Sequence, residues 1–146
     1  MLDINLLRDV EISRVANDAV AGTADVVTSA VDMSGWGGVI FVAALGDVTA
    51  GSVLSLGVQE CDTSGGSYSP VTGTTGKTAG ASDCDNNLLL VDATKPTKQF
   101  VQGVLKRGTQ NAVVDGILAI KYGPLHRPVT QGATVIGALT LPNASA

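Results

Sequence analysis

Residues 36–45 read WGGVIFVAAL, and residues 53–59 read VLSLGVQ. The first run is apolar at both parities, from Trp36 to Leu45, which is the pattern of a central strand buried on both faces. The second alternates, with Leu54, Leu56 and Val58 to one side and Ser55, Gly57 and Gln59 to the other, as a half-buried strand requires. Gly46-Asp47 ends the first run, and the two segments are expected to pair as a hairpin.

Working outward, residues 112–122 are again apolar at both parities apart from Asp115. Residues 87–92 restore an apolar run, and 97–106 alternate imperfectly. Upstream, 11–16 and 24–31 read as strands, as does 135–141 near the end. Between them, Glu60 to Asn87 is long, polar and glycine-containing, and reads as a surface excursion with a short strand at Tyr68 to Val71. The 18 glycines and the abundant Val and Thr suit short strands punctuated by turns. About eight such strands predict an all-β chain: a single β-sandwich or jelly-roll-like domain with extended terminal arms, its inner faces packing across about 10 Å. The division is an N-terminal arm at 1–10, the sandwich at 11–128, and a C-terminal arm or edge strand at 129–146. Leu2, Leu6 and Val10 share one helical stripe, so a short helix is the alternative for the first arm. Both arms are apolar enough to dock on a neighbouring subunit; closing the end of their own sandwich is the other reading.

The 146 residues suit one domain with a core of its own. Charged residues make up 15 %, below the roughly 25 % usual in soluble domains, and mean hydropathy is +0.30. So neutral a surface suits a subunit covered by neighbours. A net charge of −4 argues against a nucleic-acid partner, because phosphate binding needs clustered Lys and Arg. Lys106, Arg107, Lys121 and Arg127 are read as a solvated edge or a protein contact. Gly, Asp, Ser or Thr interrupts every apolar stretch, so no membrane span is expected, and MLDINLLRDVEISRV does not read as a secretory signal.

Cys61 and Cys84 are too far apart for a CxxC pair, and His126 is the single histidine. Two reduced thiols are the default, with neighbouring positions in a hairpin as the alternative. Gly73-Thr74-Thr75-Gly76-Lys77-Thr78 ends like a phosphate-binding loop but has Val71 where the first glycine belongs. Asp83, Asp85 and Asn87 match the first oxygen positions of a calcium loop, yet Leu88 and Thr94 stand where its glycine and glutamate should be. A triad would have to use His126, and no GxSxG elbow serves it. Trp36, Tyr68 and Tyr122 would suit sugar stacking if exposed; core or sheet-edge anchoring is the stronger reading of Trp36 and Tyr122. Neither enzymatic activity nor a cofactor or metal is expected.

Four blocks carry a resemblance: residues 31–41 (VDMSGWGGVIF), 95–101 (KPTKQFV), 111–116 (NAVVDG), and Tyr122-Gly123-Pro124 through Arg127-Pro128-Val129-Thr130. Together they resemble the small head decoration, or cement, proteins of tailed bacteriophages. Gln99-Phe100 departs from that family, which usually has Arg-Tyr after Thr-Lys. The resemblance implies a β-sandwich or jelly-roll subunit, made in the host cytoplasm, that binds the outer surface of the expanded head. Its implied partners are the major capsid protein and further copies of itself, as a trimer or, alternatively, a dimer. On that reading, the residues expected to touch the capsid or a neighbour are Leu2, Ile4, Leu6 and Leu7 in the first arm, and Leu125, His126 and Arg127 near the end. A glycan-binding module using residues 61–87, or a head-completion or tail component, are the alternatives.

Overall fold

A computed structural model describes residues 5–141. In chain order these residues form α1 (Leu6–Asp9), β1 (Glu11–Ala16), β2 (Ala19–Gly22), β3 (Val26–Val27), β4 (Val31–Asp32) and β5 (Gly38–Val48). There follow β6 (Val53–Cys61), β7 (Ser69–Thr78), β8 (Leu88–Thr94), β9 (Phe100–Lys106) and β10 (Ala112–Tyr122). All pairings are antiparallel and fall into two sheets. One runs β1-β10-β5-β8, with β2 also on β10; the other runs β3-β9-β6-β7, with β4 also on β9. Taking β1 with β2, and β3 with β4, as two interrupted strands leaves eight. Every connection except β6–β7 then crosses from one sheet to the other, which is the winding of a jelly roll.

Strand parity explains the core. Val39, Phe41, Ala43 and Leu45 of β5, with Ile117 and Ala119 of β10, are buried, as are Leu54, Leu56 and Val58 of β6 and Val101 and Leu105 of β9. They form one continuous cluster between the sheets. The Phe41 ring needs Gly103 beneath it, where a Cβ would come within 3.1 Å of the ring.

Four expectations change. The 36–45 and 53–59 segments are not a hairpin: β5 pairs with β10 and β8, whereas β6 pairs with β7 and β9. Gly51, at φ +89, helps turn the short connection out of the first sheet. Residues 69–78 are a full ten-residue strand rather than part of a surface excursion. Nearly all of β7 is exposed, so no apolar periodicity marks it; a polar edge strand of this kind avoids pairing with other chains. Residues 24–31 break into β3 and β4, because Thr28 turns its hydroxyl inward to accept from Gly103 N at 2.9 Å. Residues 135–141 are not a strand. The edge N–H groups of β1 already donate to side chains, Ile12 N to Gln131 Oε1 at 2.9 Å and Arg14 N to Thr134 Oγ1 at 3.0 Å.

Of the four basic residues, Lys106 and Arg127 are exposed, but the other two are not on a solvated edge. Arg107 is 6 % exposed and Lys121 9 %. Arg107 donates to the carbonyls of Ala24, Val20 and Ala112, each at 2.7 Å. Its guanidinium thereby ties the β2–β3 connection to the start of β10, using the planar fork that lysine lacks.

Candidate interaction surface at one pole of the sandwich

The pole where β5 begins and β8 and β10 end is held by backbone bonds between distant segments. Gly37 N donates to Tyr122 O, Lys95 N to Gly37 O and Leu125 N to Gly35 O, all at 2.9 Å, and Met33 N donates to Gln99 O at 2.7 Å. The Tyr122 ring lies over Gly38, where any side chain would collide with it, and the Tyr122 hydroxyl donates to Asp92. Burial, followed by the Asp92 hydrogen bond, raises the pKa of that hydroxyl.

These bonds frame an open groove of about 440 Å³ lined by Met33, Ser34, Trp36, Gly37, Lys95, Pro96, Lys98 and Gln99. Trp36 is half-buried and packs against the core. Asp32 Oδ1 accepts from Ser34 N at 2.9 Å and from Gln99 Nε2 at 3.2 Å, fixing one wall. Lys98 pairs with Asp62 at 2.9 Å, and Thr97 Oγ1 donates to Glu60 at 2.7 Å. Lys95 sits at φ +50, a strained conformation for a residue with a side chain.

Of the expected contact residues, those that the structure describes gather at this same pole. Arg127 Nε lies 3.1 Å from Asp9 Oδ1, and Val129 N donates to Arg8 O at 2.9 Å. Gln131 Nε2 donates to Leu7 O and Val10 O at 3.2 and 2.7 Å. The first helix and the Leu125–Arg127 segment are therefore brought together on their own chain. Leu6 remains 60 % exposed and Leu125 77 %; His126 and Arg127 are exposed and Leu7 is half-buried. Leu2 and Ile4 lie outside the described residues.

The motifs weighed for ligand chemistry are engaged structurally. The Gly73–Thr78 stretch lies within β7, and a side chain at Gly76 would collide with the Leu54 carbonyl. Asp83 Oδ1 accepts from Gly80 N at 2.7 Å and its other oxygen meets Lys77 Nζ at 2.6 Å. These bonds, the Lys77 one foremost, hold the Asp83 carboxyl below its ordinary range. Asp85 accepts from Val48 N at 2.9 Å, and Asn87 Nδ2 donates to Asp83 O at 2.7 Å. Among the described residues no three His, Cys, Asp or Glu side chains converge as metal ligands, and no helix is long and apolar enough to cross a membrane.

Cys61 and Cys84 are both free thiols. Cys61 closes β6 opposite Phe100, whereas Cys84 follows β7 at the far pole, so the nine residues of β6 separate them. The groove and the buried Arg107 network are the features that sequence reading missed. The turn glycine after Arg107, Gly108 at φ +75, was the available signal that this arginine sits in a tight crossing rather than on an edge.

No protein-family model matches the chain, and no curated protein does. Solved structures do. The PBSX exported protein XepA superposes with a TM-score of 0.53 at 16 % identity, over 97 % of this chain and 46 % of its own. The chain thus spans about half of XepA. A protein of Bacillus endospore appendages, pili described as disulfide-linked, matches at TM-score 0.42 and 14 % identity over 78 % of this chain and 88 % of its own. The Tobacco streak virus coat protein matches at 0.39 and 14 % over 98 % of each chain. Strand order and the XepA superposition together place this chain among the all-β, two-sheet sandwiches of jelly-roll type.

Proposed function

We propose that this protein is a structural virion component, a decoration or cement protein that binds the outer surface of the expanded head of a tailed phage and bridges capsid subunits. One observation carries the reading. Three of the four blocks that carry the family resemblance, 31–41, 95–101 and 122–130, are far apart in sequence yet bonded to each other around one pole. The described parts of both arms meet at that pole, Val129 and Gln131 bonding Arg8, Leu7 and Val10, and Leu6 and Leu125 are exposed there. Apolar surface of this kind contributes about 25 cal/mol per Å² once covered, before association costs. Repetition over many copies then gives avidity without a single strong site.

The test mixes purified protein with expanded shells that lack it, and reads bound copies per shell and the shell melting temperature. Saturable, high-copy binding with a raised melting temperature is the expected result. Leu6→Ser with Leu125→Ser should weaken binding while leaving the melting of the free protein within about 0.5 kcal/mol of wild type, because both side chains are exposed. Absence of binding would remove the cement role and favour a tail or head-completion part. Glycan recognition is the second reading, favoured by the groove that sets Trp36 beside Lys95, Lys98 and Gln99. A glycan array with Trp36→Ala as control tests it.

A further inference from the structure

Strand β1 ends its sheet, yet its outer edge is closed by side chains instead of by another strand. The edge N–H groups of Ile12 and Arg14 donate to Gln131 Oε1 at 2.9 Å and Thr134 Oγ1 at 3.0 Å. Gln131 also donates: its Nε2 reaches Val10 O at 2.7 Å and Leu7 O at 3.2 Å. Val10 O and Ile12 N stand two residues apart along one edge, the acceptor and the donor that a neighbouring strand would take up. A primary amide supplies both halves of that exchange from one side chain.

The two arms meet around this amide with little else to hold them. In α1 no side chain is buried, Val10 being the first that is, and none is buried from residue 123 to residue 141 except in part. Among the described residues, the other bonds between the arms are Val129 N to Arg8 O at 2.9 Å, the solvent-accessible Arg127–Asp9 pair at 3.1 Å, and Thr140 Oγ1 to Asn5 Oδ1 at 3.5 Å. Exposed ion pairs of that kind contribute little. Segments that bury so little apolar surface sit at the low end of local stability, whereas the core cluster joins both sheets.

We infer that Gln131 is a clasp: its amide fastens both arms to β1 as one unit, and that unit opens while the sandwich stays folded. Opening unwinds α1, frees residues 127–134 and bares the N–H groups of Ile12 and Arg14 together. A bared edge is where an extended strand adds to a sheet, so the clasp keeps this edge shut in the isolated chain. Closed, it also holds Leu6 at the pole where Leu125 is exposed; open, α1 no longer keeps it there. The inference stands apart from the decoration role, and no shell enters its test.

Native-state amide hydrogen exchange of the full chain, followed residue by residue by NMR, reads the opening. In the wild type, Val10, Ile12, Arg14 and Val129 should share one protection level, well below that of Phe41 and Leu56 on the central strands. Gln131→Ala should speed all four at least about tenfold while Phe41 and Leu56 keep their rates within about twofold. Loss of its own acceptor accounts for Ile12 alone; release of a unit is needed for the other three, whose partners Leu6, Thr134 and Arg8 are all still present. Gln131→Glu leaves an oxygen for Ile12 but sets a carboxylate against the Val10 and Leu7 carbonyls, and should release the unit as alanine does. Thr134→Val should speed Arg14 only. If Gln131→Ala speeds Ile12 alone, the contacts are independent and the inference is overturned. Equal acceleration of Phe41, Leu56 and Arg14 would overturn it too, because the arms would then open only with the whole fold.

Discussion

The Lys121 ammonium lies 4.8 Å from the centre of the Trp36 ring. The same nitrogen donates to Asp32 O at 3.3 Å and stands 3.6 Å from Glu11 Oε2. One side chain at the end of β10 thus joins β1, β4 and the turn before β5. Its charge is met by three partners, the ring face, the Asp32 carbonyl and the Glu11 carboxylate, the arrangement that makes a nearly buried lysine tolerable.

Lys121→Met keeps the stem and removes the charge, leaving Glu11 without its cation. We expect a loss of about 1–3 kcal/mol in urea unfolding. The emission of Trp36, the single tryptophan of the chain, should shift in the folded state. Unchanged stability and emission would show that the ammonium holds nothing in place.

Arg107→Ala should be among the most destabilising changes outside the apolar core. It strands the buried carbonyl of Ala112 and releases the part-buried ones of Ala24 and Val20, all accepting at 2.7 Å, and an unpaired buried group costs about 1–3 kcal/mol. A drop of about 2–3 kcal/mol is expected. Arg107→Lys should recover only part of it, since an ammonium does not reproduce the fork. Full recovery by lysine would assign the effect to charge alone.

The thiols should behave differently. Burial, then a hydrogen bond with Asp83, raises the Cys84 pKa, and Cys84 is 4 % exposed. Alkylation at neutral pH should therefore modify the partly exposed Cys61 first and Cys84 only as the chain opens. The nine residues of β6 span about 27 Å, far beyond the roughly 7 Å Cα limit for a disulfide. Mass spectrometry after mild oxidation should find no Cys61–Cys84 bridge within the native chain; finding one would contradict the strand order.

The Lys77–Asp83 pair sets a pH dependence with a definite sign. The Asp83 pKa is lowered, chiefly by the Lys77 hydrogen bond, so its contribution is present above the unfolded value of about 3.9 and is lost as pH falls through the folded one. The Lys77 pKa is raised by the same bond, so that contribution is lost as pH climbs above about 10.5. Both groups are solvent-accessible and the effect should shrink in salt. Melting temperature against pH should show Asp83→Asn below wild type at neutrality, with the two curves converging below about pH 4. Parallel curves down to the lowest pH would place the stabilisation elsewhere.

The sequence by itself determined the class of fold and most of its strands. Residues 112–122 agree with β10 throughout, and the runs around β5, β6, β8 and β9 were legible. The physical reason is that a strand with a buried face writes its apolar parity into local sequence, and glycine-marked turns bound it. Where neither face is buried, as in β7, that signal vanishes, and only pairing with β6 made the strand. Tertiary structure alone decided that β5 and β6 lie in opposite sheets, that Arg107 and Lys121 are interior, and that residues 31–41, 95–101 and 122–130 share a pole. Those outcomes depend on which distant carbonyls and ladder edges are free to be satisfied once the sheets close, information that no local window of residues contains.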